Sequence, residues 1–185
     1  MKRSIPRGIL LLARGKAQGL AEFDSSREAF LASLAPWIAF PLVASLLLAL
    51  RGGLLVAAEE FLATLCALLA PPVITEWVAR RLQRERLWLR FATAFNWSQW
   101  ALPPAALAAL FLANAALGAG LPVPAATYLW MGLLGAYALW LHWFLLRRGL
   151  ALSAWSAAGF VVVINLVTAA LVMGPQLLQR ALLRG

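Results

Sequence analysis

One cysteine, one histidine and seven acidic residues are all that 185 positions offer for nucleophilic, metal-binding or acid–base chemistry. Cys66 has no second thiol to form an intramolecular disulfide or a thiolate metal site, and within an apolar run it is expected to pack as a small apolar residue. His142 alone holds neither haem nor zinc without partners of matching geometry. Membrane hydrolases and transferases need several convergent acids, histidines or a metal, and here the acids are scattered. No catalytic residue, metal or cofactor is therefore assigned, and the chain is expected not to be an enzyme.

Apolar surface is what the chain has in excess. It is 63% hydrophobic and 12% charged and carries nine Trp, well beyond the apolar share of soluble domains. Uncharged stretches near twenty residues suit a bilayer core about 30 Å thick. Five apolar runs cover residues 30–50, 54–78, 91–117, 125–146 and 150–173, of which the second carries three glutamates. Ser25 and Glu28 have capping-box spacing, so the first helix is expected to begin near Ser26. Arg51-Gly52-Gly53 is a hairpin short enough to bring the second run back beside the first. Residues 118–124, rich in Gly and Pro, break the third run from the fourth, and Arg147-Arg148-Gly149 turns the chain into the fifth, which is expected to finish at Gly174-Pro175. The fold class is all-α: a polytopic bundle of five transmembrane helices spanning residues 29–174. A basic lead segment (1–28) precedes it and a short amphipathic tail (175–185), carrying Arg180 and Arg184, follows.

The net charge of +9 is distributed on alternate sides of these runs. Lys2, Arg3, Arg7, Arg14, Lys16 and Arg27 precede the first; Arg80, Arg81, Arg84, Arg86 and Arg90 lie between the second and third; Arg147 and Arg148 follow the fourth. Only Arg51, Arg180 and Arg184 fall on the other side. The positive-inside bias then places the N-terminus in the cytoplasm and the C-terminus outside. Basic residues at the ends of apolar runs meet anionic lipid headgroups rather than nucleic acid, and the five arginines from Arg80 to Arg90 are assigned that contact. Trp77, Trp88 and Trp143 fall near the same boundary. The apolar core of residues 8–13 is too short for a signal peptide and is closed by Arg14 and Lys16, so no cleavage is expected. Ile5, Ile9, Leu12, Leu20 and Phe23 lie near one helical face, which suits a helix on the inner leaflet, although Pro6, Gly15 and Gly19 weaken it.

Polar residues inside the runs are the candidate sites. Glu59 and Glu60 form an outer acidic pair, but helical neighbours point about 100° apart, so they cannot share a pocket; a span starting nearer Phe61 leaves both in the outer headgroup layer, and the alternative is a proton- or cation-binding role. Glu76 stands four residues before Arg80, where an i,i+4 ion pair explains it. Asn96 with Gln99, and Trp97 with Trp100, are each three apart, giving a polar stripe beside an aromatic one. Pro71-Pro72 lies at comparable depth, so Asn96 and Gln99 are expected to hydrogen-bond to a kinked partner helix. The alternative is a substrate or ion path lined by Glu76, Asn96, Gln99 and His142. Asn165 and Thr168 could bond a neighbouring helix, and Ala154, Ala158, Gly132 and Gly135 are expected to let the fourth and fifth spans pack closely.

The order of features resembles the Yip-domain family of Ypt/Rab-interacting membrane proteins, in a bacterial-type member. The residues that carry it are Ser26-Arg27-Glu28-Ala29-Phe30, the tight first hairpin, the basic second loop, Trp100-Ala101-Leu102-Pro103-Pro104, residues 128–135 and the Ser-containing start of the fifth span at 150–157. The resemblance covers about residues 22–174 and implies five spans, a cytoplasmic N-terminus and a role in membrane organisation as a scaffold or accessory subunit. Its partners would be the lipid bilayer with its anionic headgroups, a membrane protein or a second copy of the chain. The lead segment is too short and basic to match the long cytoplasmic region of eukaryotic members, so no Rab-type GTPase is carried over. The Ala/Leu/Arg-rich composition points to a multi-pass protein of a bacterial inner membrane. The second class of function is a small transporter or channel using the polar path above.

Overall fold

A computed structural model describes residues 3–182, with side chains described as far as Gly174 apart from Gly52. Seven α-helices follow one another: α1 (Ile5–Ala13), α2 (Arg27–Gly52), α3 (Leu54–Arg81), α4 (Glu85–Ser98), α5 (Leu102–Gly118), α6 (Val123–Gly149) and α7 (Ala154–Leu182). Two 3-10 segments, Ala17–Glu22 and Gln99–Ala101, complete the order, and no strand occurs among the described residues. Five helices are long and apolar enough to cross a membrane, with α4 and α5 counted as one. The chain is a multi-pass membrane helix bundle.

The helix starts follow local chemistry, with one shift from expectation. Ser26, not Ser25, caps α2: its hydroxyl accepts from the Ala29 N–H at 3.2 Å, so the capping box with Glu28 is not formed. Only Gly53 separates α2 from α3, at φ +94, a left-handed value that glycine reaches without a Cβ clash. Inside α3, Pro71 and Pro72 do not end the helix. The Thr75 hydroxyl donates to the carbonyls of Pro71 (2.8 Å) and Pro72 (3.1 Å). At the other end of the chain, α7 runs on through Gly174-Pro175 to Leu182 instead of stopping there. Arg184 and the side chain of Arg180, assigned to the amphipathic tail, lie outside the described residues.

Two departures reshape the bundle. The third run is composite: α4 ends at Ser98, a 3-10 turn occupies Gln99–Ala101, and α5 resumes with Pro103-Pro104 in its first turn, where proline is tolerated. α4 is buried from Phe91 through Asn96 and packs against α1, α2, α3 and α6, whereas α5 packs mainly on α6. The lead segment also does more than rest on a leaflet. α1 and the 3-10 segment behind it form a hairpin turned by Gly15 at φ +73, and the hairpin packs on α4 and α6. Leu12 and Phe23 are fully buried in it. A Cβ at Gly19 would stand 2.8 Å from the Gly8 carbonyl, so the two arms touch through glycine. The Tyr137 hydroxyl donates to the Ala13 carbonyl at 3.1 Å, fixing the tip of the hairpin to α6.

The apolar core lies at the end that carries the basic residues. Leu12, Phe91, Phe95, Leu141, Leu145, Leu146, Leu150 and Ala157 form one buried cluster there. At the opposite end the helices expose large apolar side chains, among them Leu46, Leu55, Phe111, Tyr128 and Leu166.

Candidate functional site

Depth along the bundle can be counted from the end at Gly53. About twenty residues, or 30 Å of helix, fill a hydrocarbon layer. Counted that far from the helix ends at Gly52, Leu54, Gly118 and Val123, the chain reaches Ser33, Ile74, Ser98 and His142. These four positions share one level. Large exposed apolar residues of α6 stop at Trp140 and those of the third run begin, apart from Leu87, at Trp100, so on these two runs exposed apolar surface ends near the same level, whereas α2, α3 and α7 carry Leu31, Trp77 and Trp155 exposed beyond it. α4, the lead hairpin and the basic loops lie beyond it, and Ser33, Asn96, Gln99 and His142 lie on or beside it.

There the structure joins residues far apart in sequence. Asn96 Nδ2 donates to Ser33 Oγ at 2.9 Å, tying α4 to α2 in a fully buried contact. The Gln99 amide meets His142 Nε2, with Nε2 at 3.2 Å and Oε1 at 3.4 Å, tying the 3-10 turn to α6. The Phe95 ring lies 4.9 Å from the imidazole, centroid to centroid. Asn96 and Gln99 therefore do bridge helices, but their partners are α2 and α6, and not the proline-bearing α3. Trp88 Nε1 donates to Thr75 Oγ1 at 3.2 Å, so an indole holds α3 against α4. Ser33 carries no sequence motif, and only its partner Asn96 marks it.

Glu76 does not belong to this group. Its carboxylate bonds Arg80 at 2.6 Å across one turn of α3, with both side chains substantially exposed. The four-residue path of Glu76, Asn96, Gln99 and His142 thus separates into a surface ion pair and an interhelical cluster. Glu59 and Glu60 are both exposed on α3, and Glu60 lines a groove between α2 and α3. Cys66 is exposed as well, contrary to the expected packing role. Asn165 spends its amide on the Val161 carbonyl of its own helix (2.8 Å) instead of a neighbour. Gly132 and Gly135 have nothing within 4 Å of an added Cβ, so they do not mediate close helix approach; Ala109, Ala113 and Ala126 are the small buried residues where α5 meets α6.

The five loop arginines divide by role. Arg81 stacks over Trp77 at 5.3 Å and Arg80 is paired with Glu76. Arg86 and Arg90 are exposed. Arg84 is directed at protein: its guanidinium donates to the Leu150 carbonyl at 2.6 Å and also to that of Ala151. It clamps the α3–α4 loop to the α6–α7 loop. Both loops contain a non-glycine residue at positive φ, Gln83 at 57 and Ala151 at 51, a conformation that needs such external support. Headgroup contact was assigned to Arg84 from its place in a basic run, which does not reveal two carbonyls 66 and 67 residues away.

A cavity of about 350 Å³ runs from this polar level inward as far as Thr64, between α2, α3, the third run, α6 and α7. Leu34, Leu68, Phe95 and Ile164 supply apolar wall; Trp37, Asn96, Gln99, His142, Asn165 and Thr168 supply the polar groups. Trp37, Thr64 and Leu68 also line the larger α2–α3 groove, about 850 Å³, which therefore adjoins it. Among the described residues no group of three His, Cys, Asp or Glu side chains could hold a metal ion. No family model matches the chain, and no curated protein or solved structure matches it.

Proposed function

We propose that this is a non-enzymatic scaffold or accessory subunit of the Yip-domain type, set in a bacterial inner membrane with its N-terminus in the cytoplasm. It would gather partner proteins on a rigid basic platform that also engages anionic headgroups. The observation that carries the reading is the platform itself. Arg3, Arg7, Arg14, Lys16, Arg86 and Arg90 are exposed around one packed end of the bundle. The lead hairpin among them is held by Tyr137, by the Ser4 N–H bond to Glu22 (3.0 Å) and by the Arg3–Asp24 pair (2.6 Å). A preformed surface of this kind loses little entropy on binding. Purification after mild detergent extraction is expected to retain a stable partner protein that Arg86→Glu with Arg90→Glu releases. A wild-type chain that purifies alone, or a charge-reversed one that keeps its partner, speaks against the scaffold. A reporter fused after Gly185 tests orientation: activity on the cytoplasmic side removes either a span or the proposed direction.

The cavity beside the 3-10 break at Gln99–Ala101 favours a second reading, a small transporter, because broken membrane helices build such sites. That path no longer includes Glu76. Uptake lost in Asn96→Ala but kept in Glu76→Gln would support it over the scaffold.

A further inference from the structure

Four buried side-chain polar atoms lack a protein partner among the described residues: Trp37 Nε1, Ser98 Oγ, His142 Nδ1 and Thr168 Oγ1. Three of them belong to residues that line the 350 Å³ cavity. Buried donors and acceptors left unpaired are costly, so their concentration at one cavity requires an explanation. The backbone adds to it. Pro71 and Pro72 have no N–H, which removes the usual i+4 donors of the Ala67 and Leu68 carbonyls, and both of those residues line the cavity too.

We propose that the cavity binds a neutral membrane lipid whose polar end presents carbonyl oxygens, as in an acylglycerol or an alkylated quinone, with its apolar chain lying in the α2–α3 groove. Four features select this class. The volume falls in the range of about 300–1,000 Å³ usual for small-molecule sites, and apolar walls with a few convergent polar groups are the usual lining. No Asp, Glu, Lys or Arg lines the inner cavity, so nothing there balances a phosphate or an ammonium. Donors for a carbonyl oxygen stand beside the two freed backbone acceptors: the Trp37 indole N–H only donates, and the unpaired Thr168 hydroxyl can donate as well. Finally, the polar level lies about 30 Å of helix from the Gly53 end, at the boundary of the hydrocarbon layer, where the ester and hydroxyl region of a lipid resides. Trp37 stands where groove and cavity meet, with its ring 5.8 Å from that of Trp100, so a chain entering along α2 passes its indole.

This site is independent of the basic platform, since it uses none of its arginines. The test is thermal unfolding of the full chain in detergent, titrated separately with dioctanoylglycerol, a decyl-substituted benzoquinone and dioctanoylphosphatidylglycerol. A saturable rise in melting temperature is expected with one or both neutral lipids, and which one responds names the source of the carbonyl. Trp37→Phe and Thr168→Val should each weaken that binding about tenfold, the loss of one hydrogen bond in a desolvated site. Leu46→Ala, on an exposed face, should bind as the wild type does. The proposal is overturned if neither neutral lipid gives a saturable shift, if the phosphate-bearing lipid binds as well as they do, or if both Trp37→Phe and Thr168→Val bind undiminished. Should Trp37→Phe fail to fold, Gln99→Leu provides the second variant and carries the same expectation.

Discussion

The two ends of this bundle solve the same problem with different materials. At the basic end, helices meet through fully buried Leu141, Leu145, Leu146 and Phe91, through side-chain hydrogen bonds between helices, and through the Arg84 clamp. At the Gly53 end, α2 and α3 meet across a groove, α5 packs on α6 through alanines, and large apolar side chains point outward. Lipid tails are as apolar as leucine, so a helix within the hydrocarbon layer gains little by hiding leucine from them. Beyond the layer, water restores the hydrophobic drive, and the chain there packs like a soluble core. The dense end and the loose end follow from one sequence in two solvents.

The largest test of this contrast compares leucines. Leu145→Ala at the packed end should cost about 2–5 kcal/mol, read as the midpoint of unfolding in mixed micelles. Leu46→Ala, 64% exposed at the other end, should stay within about 0.5 kcal/mol. Equal losses would remove the distinction between the ends. Glycines sharpen it next. In Gly19→Ala the new Cβ meets the Gly8 carbonyl at 2.8 Å and Leu11 Cβ at 2.9 Å, and overpacking of that kind costs about 1–3 kcal/mol. Gly132→Ala has open space around it and should instead gain about 0.5–1 kcal/mol from helix propensity. Protease protection of the lead hairpin and overall melting temperature report the two effects.

A single hydrogen bond gives a smaller effect. Ser33→Ala removes the acceptor of Asn96 Nδ2 in a buried contact and should destabilise by about 1 kcal/mol; a restored midpoint in Ser33→Ala with Asn96→Ala would confirm that the cost is the stranded amide. The smallest expectation concerns pH. The Arg3 guanidinium, followed by the Ser25 N–H, holds the exposed Asp24 carboxyl below its ordinary value of 3.8. A depressed folded value contributes stability above the ordinary value and loses it as pH falls through the depressed one. Hydrogen exchange in residues 4–23 should therefore quicken as the solution is acidified below that range, and the acceleration should be smaller in Asp24→Asn once intrinsic rates are divided out.

Five spans, their hairpin turns and the clustering of basic residues were legible because each rests on a local pattern: run length, Gly at a turn, charge at a run's end. The pairing of Glu76 with Arg80 was legible for the same reason, being one helical turn. What could not be read was which polar residue meets which across helices. Asn96 and Ser33 are 63 positions apart, Gln99 and His142 are 43 apart, and nothing local in either member announces the other. The lead segment was misjudged on its glycines. Gly15 and Gly19 weaken a straight surface helix, yet they are what allows a hairpin with touching arms. Gly132 and Gly135 erred in the other direction, since a small residue permits close approach without requiring it.

The bond from Tyr137 to Ala13 spans 124 positions, and it makes residues synthesised before every span among the last to find their place. At a synthesis rate of roughly 5–20 residues per second, the lead segment waits on the order of ten seconds before α6 exists to receive it. During that interval α4 is the only one of its two docking helices that exists, so the hairpin has half of its seat. Docking of the hairpin marks completion of the fourth span, so a chain cut short before Tyr137 would display an undocked N-terminus that quality-control proteases can recognise.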